Sequence, residues 1–141
     1  MKALINILVA LGLPIVAATA LAVLLVEATP LSLSELSKKT GYAKSHLSPQ
    51  LRMLAFNGLV EIIRKRRQVL YKARHEAFID LIHGHLSDLQ ASLEQVAHRI
   101  NDEAFSHNLK DIASTLKDLI KYKRGENKWN SSRYSKTRAF M

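Results

Sequence analysis

Apolar residues change their spacing from helical to extended and back again along this chain, and that order admits few folds. Two short helical segments lie at 32–40 and 44–57 and are separated by a tight turn. Runs rich in β-branched and aromatic residues follow at 59–63 and 68–72, as is typical of two strands, and a helical pattern resumes from about residue 75. The sequence therefore predicts a mainly α-helical chain with one small β-hairpin.

Both short helices carry signals for where they begin or end. Ser32 and Glu35 form an S-x-x-E capping box, and Gly41 is expected to stop the helix that starts there. The second helix is expected to end at Asn57-Gly58. Its apolar positions follow the spacing i, i+4, i+7, at Leu47, Leu51 and Leu54. These signals predict a helix-turn-helix whose second helix buries one stripe of leucine side chains.

The N-terminal region has no charged residue from 3 to 26, a length that is sufficient to span a bilayer. A preceding Lys and several small residues would also suit a signal peptide. However, Gly12-Leu13-Pro14 interrupts the run with a stop signal followed by a start signal, which favours two buried helices at about 2–11 and 14–28. The helix-turn-helix also requires a helix immediately before Ser32.

The chain has 141 residues, with 21 Lys and Arg against 12 Asp and Glu, and no Cys. This length fits one domain with an extension, and the lack of Cys excludes disulfide scaffolds, thiolate zinc sites and cysteine catalysis. The net charge of +9 indicates a polyanionic partner. Residues 32–58, 59–75 and 117–141 carry +3, +5 and +6, whereas residues 76–103 carry −5. The positive charge is thus divided by an acidic block.

Four consecutive basic residues occupy the predicted turn between the strands, namely Arg64, Lys65, Arg66 and Arg67. A run of charges is most often a solvated surface. A hairpin tip beside a helix-turn-helix, however, can reach a phosphate backbone or a narrow minor groove. Each neutralised phosphate would add to a salt-dependent affinity. We therefore expect this tip to contact DNA.

The stretch 30–61 is similar to winged helix-turn-helix transcriptional regulators of the MarR, ArsR and TrmB kind. It matches their pattern at its Pro-Leu-Ser start, at Gly41 and at the closing Gly58-Leu-Val. The segment 11–14, which leads into the first helix of the domain, resembles the GbsR/TrmB branch. The resemblance covers roughly residues 10–75. It implies a winged helix-turn-helix fold and a cytoplasmic, nucleoid-associated homodimer that binds double-stranded DNA and regulates transcription.

In such regulators the second helix lies in the major groove and presents polar side chains to base edges. The residues expected at the DNA are Lys44, Ser45, His46, Ser48, Pro49, Gln50 and Arg52. Gln50 is suited to adenine, and Arg52 to guanine or a phosphate. A solvated helix face would carry similar residue types, so the DNA-binding interpretation draws support from the adjacent basic hairpin.

Two residues depart from the family pattern. Pro49 falls inside the predicted second helix, where a proline costs about 3 kcal/mol. Ser48 and Pro49 would alternatively form an N-cap and first helical position, leaving residues 44–47 as a separate turn. Ala43 stands where the family usually has a capping Ser. Both departures affect the predicted start and angle of the recognition helix.

The C-terminal half contains the strongest periodic signal of the chain. Its apolar residues alternate spacings of 3 and 4 over three heptads, at Ile79, Ile82, Leu86, Leu89, Leu93, Val96 and Ile100. The acidic residues around this seam would repel DNA. The seam requires a partner. This partner is either a helix at 103–123 or the seam helix of a second subunit. We favour a homodimer formed through this region together with residues 2–11.

These observations divide the chain into four parts. An N-terminal apolar helix for dimerisation spans 1–13, and a winged helix-turn-helix DNA-binding domain spans 14–74. A helical hairpin for dimerisation follows at 75–124. The last part, 125–141, is basic and polar and is expected to be a disordered tail.

The sequence predicts neither an enzyme nor a metal or other cofactor. It has no pairing of a nucleophile with a base, no Gly-rich phosphate loop and no clustered catalytic carboxylates. His83 and His85, with His75 and His98, form only a loose set that lacks the i, i+4 pair of helical metal sites.

A homodimeric transcriptional regulator is the favoured function. Two alternatives belong to other classes: a membrane-anchored protein whose residues 3–26 span the bilayer, and an architectural DNA-binding protein with little sequence preference.

Overall fold

A computed structural model describes the backbone of residues 1–126 and the side chains of residues 1–120. The elements in this part of the chain are α1 Lys2–Ala10, α2 Ile15–Glu27, β1 Leu31–Ser32, α3 Leu33–Thr40, α4 Lys44–Phe56, β2 Val60–Lys65, β3 Gln68–Ala73, α5 His75–Ala97 and α6 Glu103–Glu126. A mainly helical chain with a small antiparallel sheet is therefore confirmed. The predicted tail begins at residue 125, but α6 includes residues 125 and 126, and the rest of the tail lies outside the described residues.

The uncharged N-terminal run forms two helices instead of one. The chain turns at Gly12, whose φ of +103° is in the left-handed region, and the Leu13 N–H donates to the Leu8 carbonyl oxygen at 3.1 Å. Helix α2 is surrounded by other elements and buries seven of its residues, Ala17, Ala18, Ala20, Leu21, Ala22, Val23 and Leu24. Among residues 1–126, no helix has both the length and the apolar content that a membrane span requires.

The helix-turn-helix forms as the local signals predict. The Ser32 hydroxyl accepts from the Glu35 N–H at 3.2 Å, while the Glu35 carboxylate accepts from the Ser32 N–H at 3.4 Å. Gly41 ends α3 with φ +79°, a conformation that favours glycine. The predicted stripe of α4 is fully buried, together with Leu36 of α3. These leucines fix α4 against α3 and the central helix α2.

Helix α4 runs without interruption from Lys44 through Pro49, so the alternative of a separate turn at 44–47 is wrong. Pro49 has no N–H to donate to the Ser45 carbonyl oxygen. Both residues are exposed, so water is able to bind that carbonyl. The first turn is anchored by the Ala43 carbonyl oxygen, which accepts from His46 and Leu47, but no side chain caps the helix. Burial of the leucine stripe compensates for the weak first turns.

The hairpin belongs to a sheet with one strand more than predicted. Strands β2 and β3 form the expected antiparallel hairpin, from Val60↔Ala73 to Lys65↔Gln68, but β2 extends through Arg64 and Lys65, which were predicted to lie in the turn. The additional strand β1 pairs with the other edge of β3, with Leu31 opposite Tyr71. Two residues are too few to show a strand's alternation in the sequence, which explains why β1 was not predicted.

Helices α5 and α6 form a helical hairpin that is joined to the rest of the fold through the start of α5. Ala77 and Leu81 are buried in the main core. His75 lies with its Nε2 atom 3.2 Å from the Leu25 carbonyl oxygen. Further along the pair, the buried residues are small ones, Gly84, Ala97, Ser106 and Ala113. The fully buried positions along this pair are therefore small, whereas the large residues of the heptad seam are half-buried or exposed.

Candidate nucleic-acid interface

Helix α4 presents one exposed stripe on the side opposite its buried leucines. The residues of this stripe are spaced 4, 3 and 4 apart, at Ser45, Pro49, Arg52 and Phe56, and all four are exposed. We call them the α4 stripe. Residues three and four apart lie on the same side of a helix, so these side chains point in a common direction.

The predicted DNA-facing residues of α4 are not equally accessible. Lys44, Ser45, His46, Pro49 and Arg52 are exposed. Ser48 and Gln50, by contrast, are half-buried. The Oε1 atom of Gln50 is buried and has no hydrogen-bond partner among the described residues. Gln50 thus lies on the flank of α4 that turns towards the core, whereas Arg52 lies in the middle of the exposed stripe.

Phe56 was missed by the sequence-based prediction. Its side chain is 80% exposed, more than that of any other large apolar residue in the described part of the chain. The prediction selected polar and basic residues and therefore passed over an aromatic one. The spacing from Ser45, Pro49 and Arg52 would have placed Phe56 on the exposed side.

The four basic residues form the tip of the wing, which we define as β2, β3 and their turn. Arg64 lies opposite Val69 and Lys65 opposite Gln68, while Arg66 and Arg67 make the turn. All four side chains are exposed. Within the described residues, none of them forms an ion pair. The tip therefore concentrates four positive charges that no carboxylate of the described fold neutralises.

Arg66 has a backbone conformation that is unusual for an arginine. Its φ is +54°, in the left-handed region, where a side chain with a Cβ costs roughly 1–2 kcal/mol relative to glycine. The residue is exposed, and no packing in the described fold requires an arginine there. The fold thus accepts a conformational cost and still places a cation at the tip of the wing.

One ion pair in this region links two helices and neutralises one surface cation. Lys39 Nζ lies 3.1 Å from Glu27 Oε1 and links α3 to the end of α2. Both side chains are about 40% exposed, so the contribution to stability is small, on the order of 0–1 kcal/mol. Lys38, Lys44 and Arg52 have no such acidic partner among the described residues.

Large apolar side chains remain exposed on the helical hairpin. On α5, Ile79, Leu89 and Val96 of the predicted seam are between 43% and 48% exposed. The other four residues of the seam, Ile82, Leu86, Leu93 and Ile100, are half-buried. On α6, residues spaced seven apart are at least 50% exposed, at Phe105, Ile112 and Leu119. Helix α1 adds Ile7 and Val9, which are also exposed. The seam is therefore not fully covered within one chain.

The histidines do not assemble into a metal site in the part of the chain that the structure describes. No group of three or more His, Cys, Asp or Glu side chains converges there. His75 instead contacts the end of α2, and the Nδ1 atom of His85 is buried within the helical hairpin.

Comparisons with known proteins are informative about the fold. No family model matches the chain, and no curated protein is detectably similar in sequence. A solved structure described as the crystal structure of a transcriptional regulator is similar, with a TM-score of 0.56 and 19% identity. The match covers 84% of this chain and 86% of that chain. At this level of identity the similarity establishes that the two chains share a fold.

Proposed function

We propose that this chain is a homodimeric regulator of transcription that binds double-stranded DNA. The observation that carries the proposal is the exposed, unneutralised basic tip of the wing, immediately after a helix whose outer face is also exposed. The similarity to a protein described as a transcriptional regulator supports it. The residue pattern at 30–61 further favours a relationship to the MarR, ArsR and TrmB families, and hence a location with the nucleoid.

In this proposal α4 lies in the major groove and the wing contacts the neighbouring backbone or minor groove. The exposed members of the predicted set, Lys44, Ser45, His46, Pro49 and Arg52, are available to bases and phosphates. Arg52 has the fork of donors that pairs with guanine O6 and N7. Ser48 and Gln50 contribute only from the flank, because both side chains are already half-buried.

The helical hairpin and α1 supply the dimer interface in this proposal. The heptad seam of α5 and the exposed residues of α6 offer apolar surface that a second copy would remove from water. The net charge of −5 over residues 76–103 keeps this surface away from DNA. A symmetric dimer would present two α4 helices to half-sites about 34–36 Å apart, one helical turn of DNA.

Selection of bound fragments from a random duplex pool tests this function. We expect the full chain to enrich one paired motif with a half-site separation near one helical turn. Titration of the enriched duplex and a random duplex at two salt concentrations should then give a specific affinity at least about 10³-fold higher. Equal affinities for both duplexes would favour the architectural DNA-binding alternative. Failure to bind either duplex would contradict DNA binding altogether.

A further inference from the structure

Phe56 is the least protected large apolar side chain of the described fold. It is 80% exposed, whereas the leucines that precede it on the other face of α4 are fully buried. Its role in the fold is therefore slight. An aromatic ring so exposed on a surface helix is more informative than a scattered aliphatic residue, because aromatic side chains usually bury large areas at interfaces.

The position of Phe56 places its ring beside a candidate base-contacting residue. It belongs to the α4 stripe and follows Arg52 by four residues, a rise of about 6 Å along the helix axis. Pro49, which precedes Arg52 by three residues, is also apolar and exposed. The stripe thus presents a guanidinium with an apolar group on either side of it.

Among the four bases, only thymine exposes a methyl group in the major groove, and an aromatic side chain is one of the groups that contact it. The positive charges on the same surface favour a polyanion such as DNA as the partner of the α4 stripe. Lys44, Arg52 and the tip of the wing are cations without an acidic partner among the described residues. A ring that shares one side of α4 with Arg52 would meet the groove edge of a base.

We propose that Phe56 is a specificity-determining residue that packs its ring against the C5 methyl group of a thymine. This inference rests on the proposed function, since it requires α4 to lie in the major groove. The rise of about 6 Å from Arg52 corresponds to about two base-pair steps of 3.4 Å. The thymine therefore lies one to two base pairs from the base or phosphate that Arg52 contacts.

The test uses the full chain and the duplex enriched by selection, with each thymine of the half-site replaced singly by deoxyuridine. This substitution removes only the C5 methyl group. At one position we expect the wild-type protein to lose about four-fold in affinity, which corresponds to about 0.8 kcal/mol for one buried methyl group. Phe56→Ala should bind the thymine duplex more weakly and should lose little more on deoxyuridine substitution. Phe56→Leu should retain part of the discrimination.

Val26→Ala is the matched control, because Val26 is a 58% exposed apolar residue of α2 and lies outside the α4 stripe. It should leave the deoxyuridine effect unchanged. Specific binding with no thymine position coupled to Phe56 would overturn the inference and leave the proposed function intact. So would a Phe56→Ala variant that weakens self-association while DNA affinity per dimer is unchanged, which would place Phe56 at a subunit contact. Absence of specific duplex binding would overturn both.

Discussion

At the scale of single residues, two non-glycine residues of the described chain have a left-handed backbone conformation that glycine would adopt without strain. Ala28 ends α2 with φ +58°, and its N–H donates to the Leu24 carbonyl oxygen at 3.2 Å. Arg66 turns the wing with φ +54°. Both residues are exposed. Substitution by glycine therefore relieves the same kind of backbone strain at a helix end, Ala28, and at the proposed DNA contact, Arg66.

Arg66→Gly is expected to stabilise the fold and to weaken DNA binding. Relief of the left-handed conformation should raise the free energy of unfolding by about 1 kcal/mol, less the extra freedom that glycine gives the unfolded chain. Removal of the guanidinium should lower DNA affinity. If the guanidinium neutralises one phosphate, the steepness of log K against log salt should fall by about 0.9. Urea unfolding and salt-dependent titration measure the two effects.

Ala28→Gly is the matched control, because it relieves comparable strain without removing a charge. It should raise stability by a similar amount and leave the DNA affinity unchanged. An Arg66→Gly protein that binds DNA with wild-type affinity and salt dependence would show that the guanidinium does not touch DNA.

Residue type alone does not separate the exposed residues of α4 from the half-buried ones. Gln50 is predicted to contact a base because of its amide, and its side chain is half-buried. Phe56, by contrast, is apolar and lies on the exposed side of α4. Helical spacing predicts which residues share a side, whereas the width of the buried side depends on how closely α2 and α3 approach, and this is a tertiary property.

At the scale of elements, α4 is held in place by packing more than by its own local signals. Its N-cap residue is Ala43, which offers no side-chain acceptor to the first turn, and Pro49 removes a hydrogen bond further along. The buried side chains of Leu47, Leu51 and Leu54 compensate for these two deficits. Isolated from the core, this helix would be marginal.

Ala43→Ser is therefore expected to stabilise the protein by about 1 kcal/mol. Ala43 already has the extended N-cap conformation, with φ −66° and ψ 148°, so a serine hydroxyl there is able to accept from an N–H of the first turn. The melting temperature and the urea midpoint measure the gain. Ala43→Val is the control, because it has no acceptor and should give no increase. A serine variant no more stable than the wild type would mean that water already satisfies those N–H groups.

The elements differed in how well the sequence predicted them. The helix-turn-helix was predicted closely because each boundary has its own chemical signal, such as the capping box at Ser32 and the glycine at position 41. Strand β1 has no signal of its own and forms only because β3 offers it an edge. The heptad seam predicted a long helix, but it did not predict that the fully buried residues along α5 and α6 beyond Leu81 would be small ones.

At the scale of the whole molecule, the fold separates two charged parts. The first is a basic head, which we define as residues 32–75, and the second is an acidic helical hairpin with exposed apolar residues. Leu89→Glu is expected to convert the proposed dimer into a monomer, because it places a charge in the middle of the seam. Leu89 is 43% exposed within one chain, so the monomer should remain folded. Sedimentation equilibrium measures the association state, and circular dichroism measures the helix content.

Gln95→Glu is the control for that substitution, since Gln95 is an exposed polar residue of the same helix outside the seam. It adds the same charge and should leave the dimer intact. A Leu89→Glu protein with unchanged association would assign the dimer interface to another surface, such as the exposed residues of α1.

The central claim is that the basic head binds DNA through the wing and α4. It is tested most directly by reversing Arg64, Lys65, Arg66 and Arg67 to Glu and measuring affinity for the selected duplex over a range of salt concentrations. Reversal of Lys110 and Lys117, two exposed lysines of α6, changes the net charge by half as much, so its matched comparison is the reversal of Arg66 and Arg67 alone. We predict that the wing variant binds more weakly and that its salt slope falls by about 0.9 for each phosphate that the wing no longer neutralises, while the α6 variant retains most of both. Equal behaviour of the wing variant and the wild-type protein would contradict the claim.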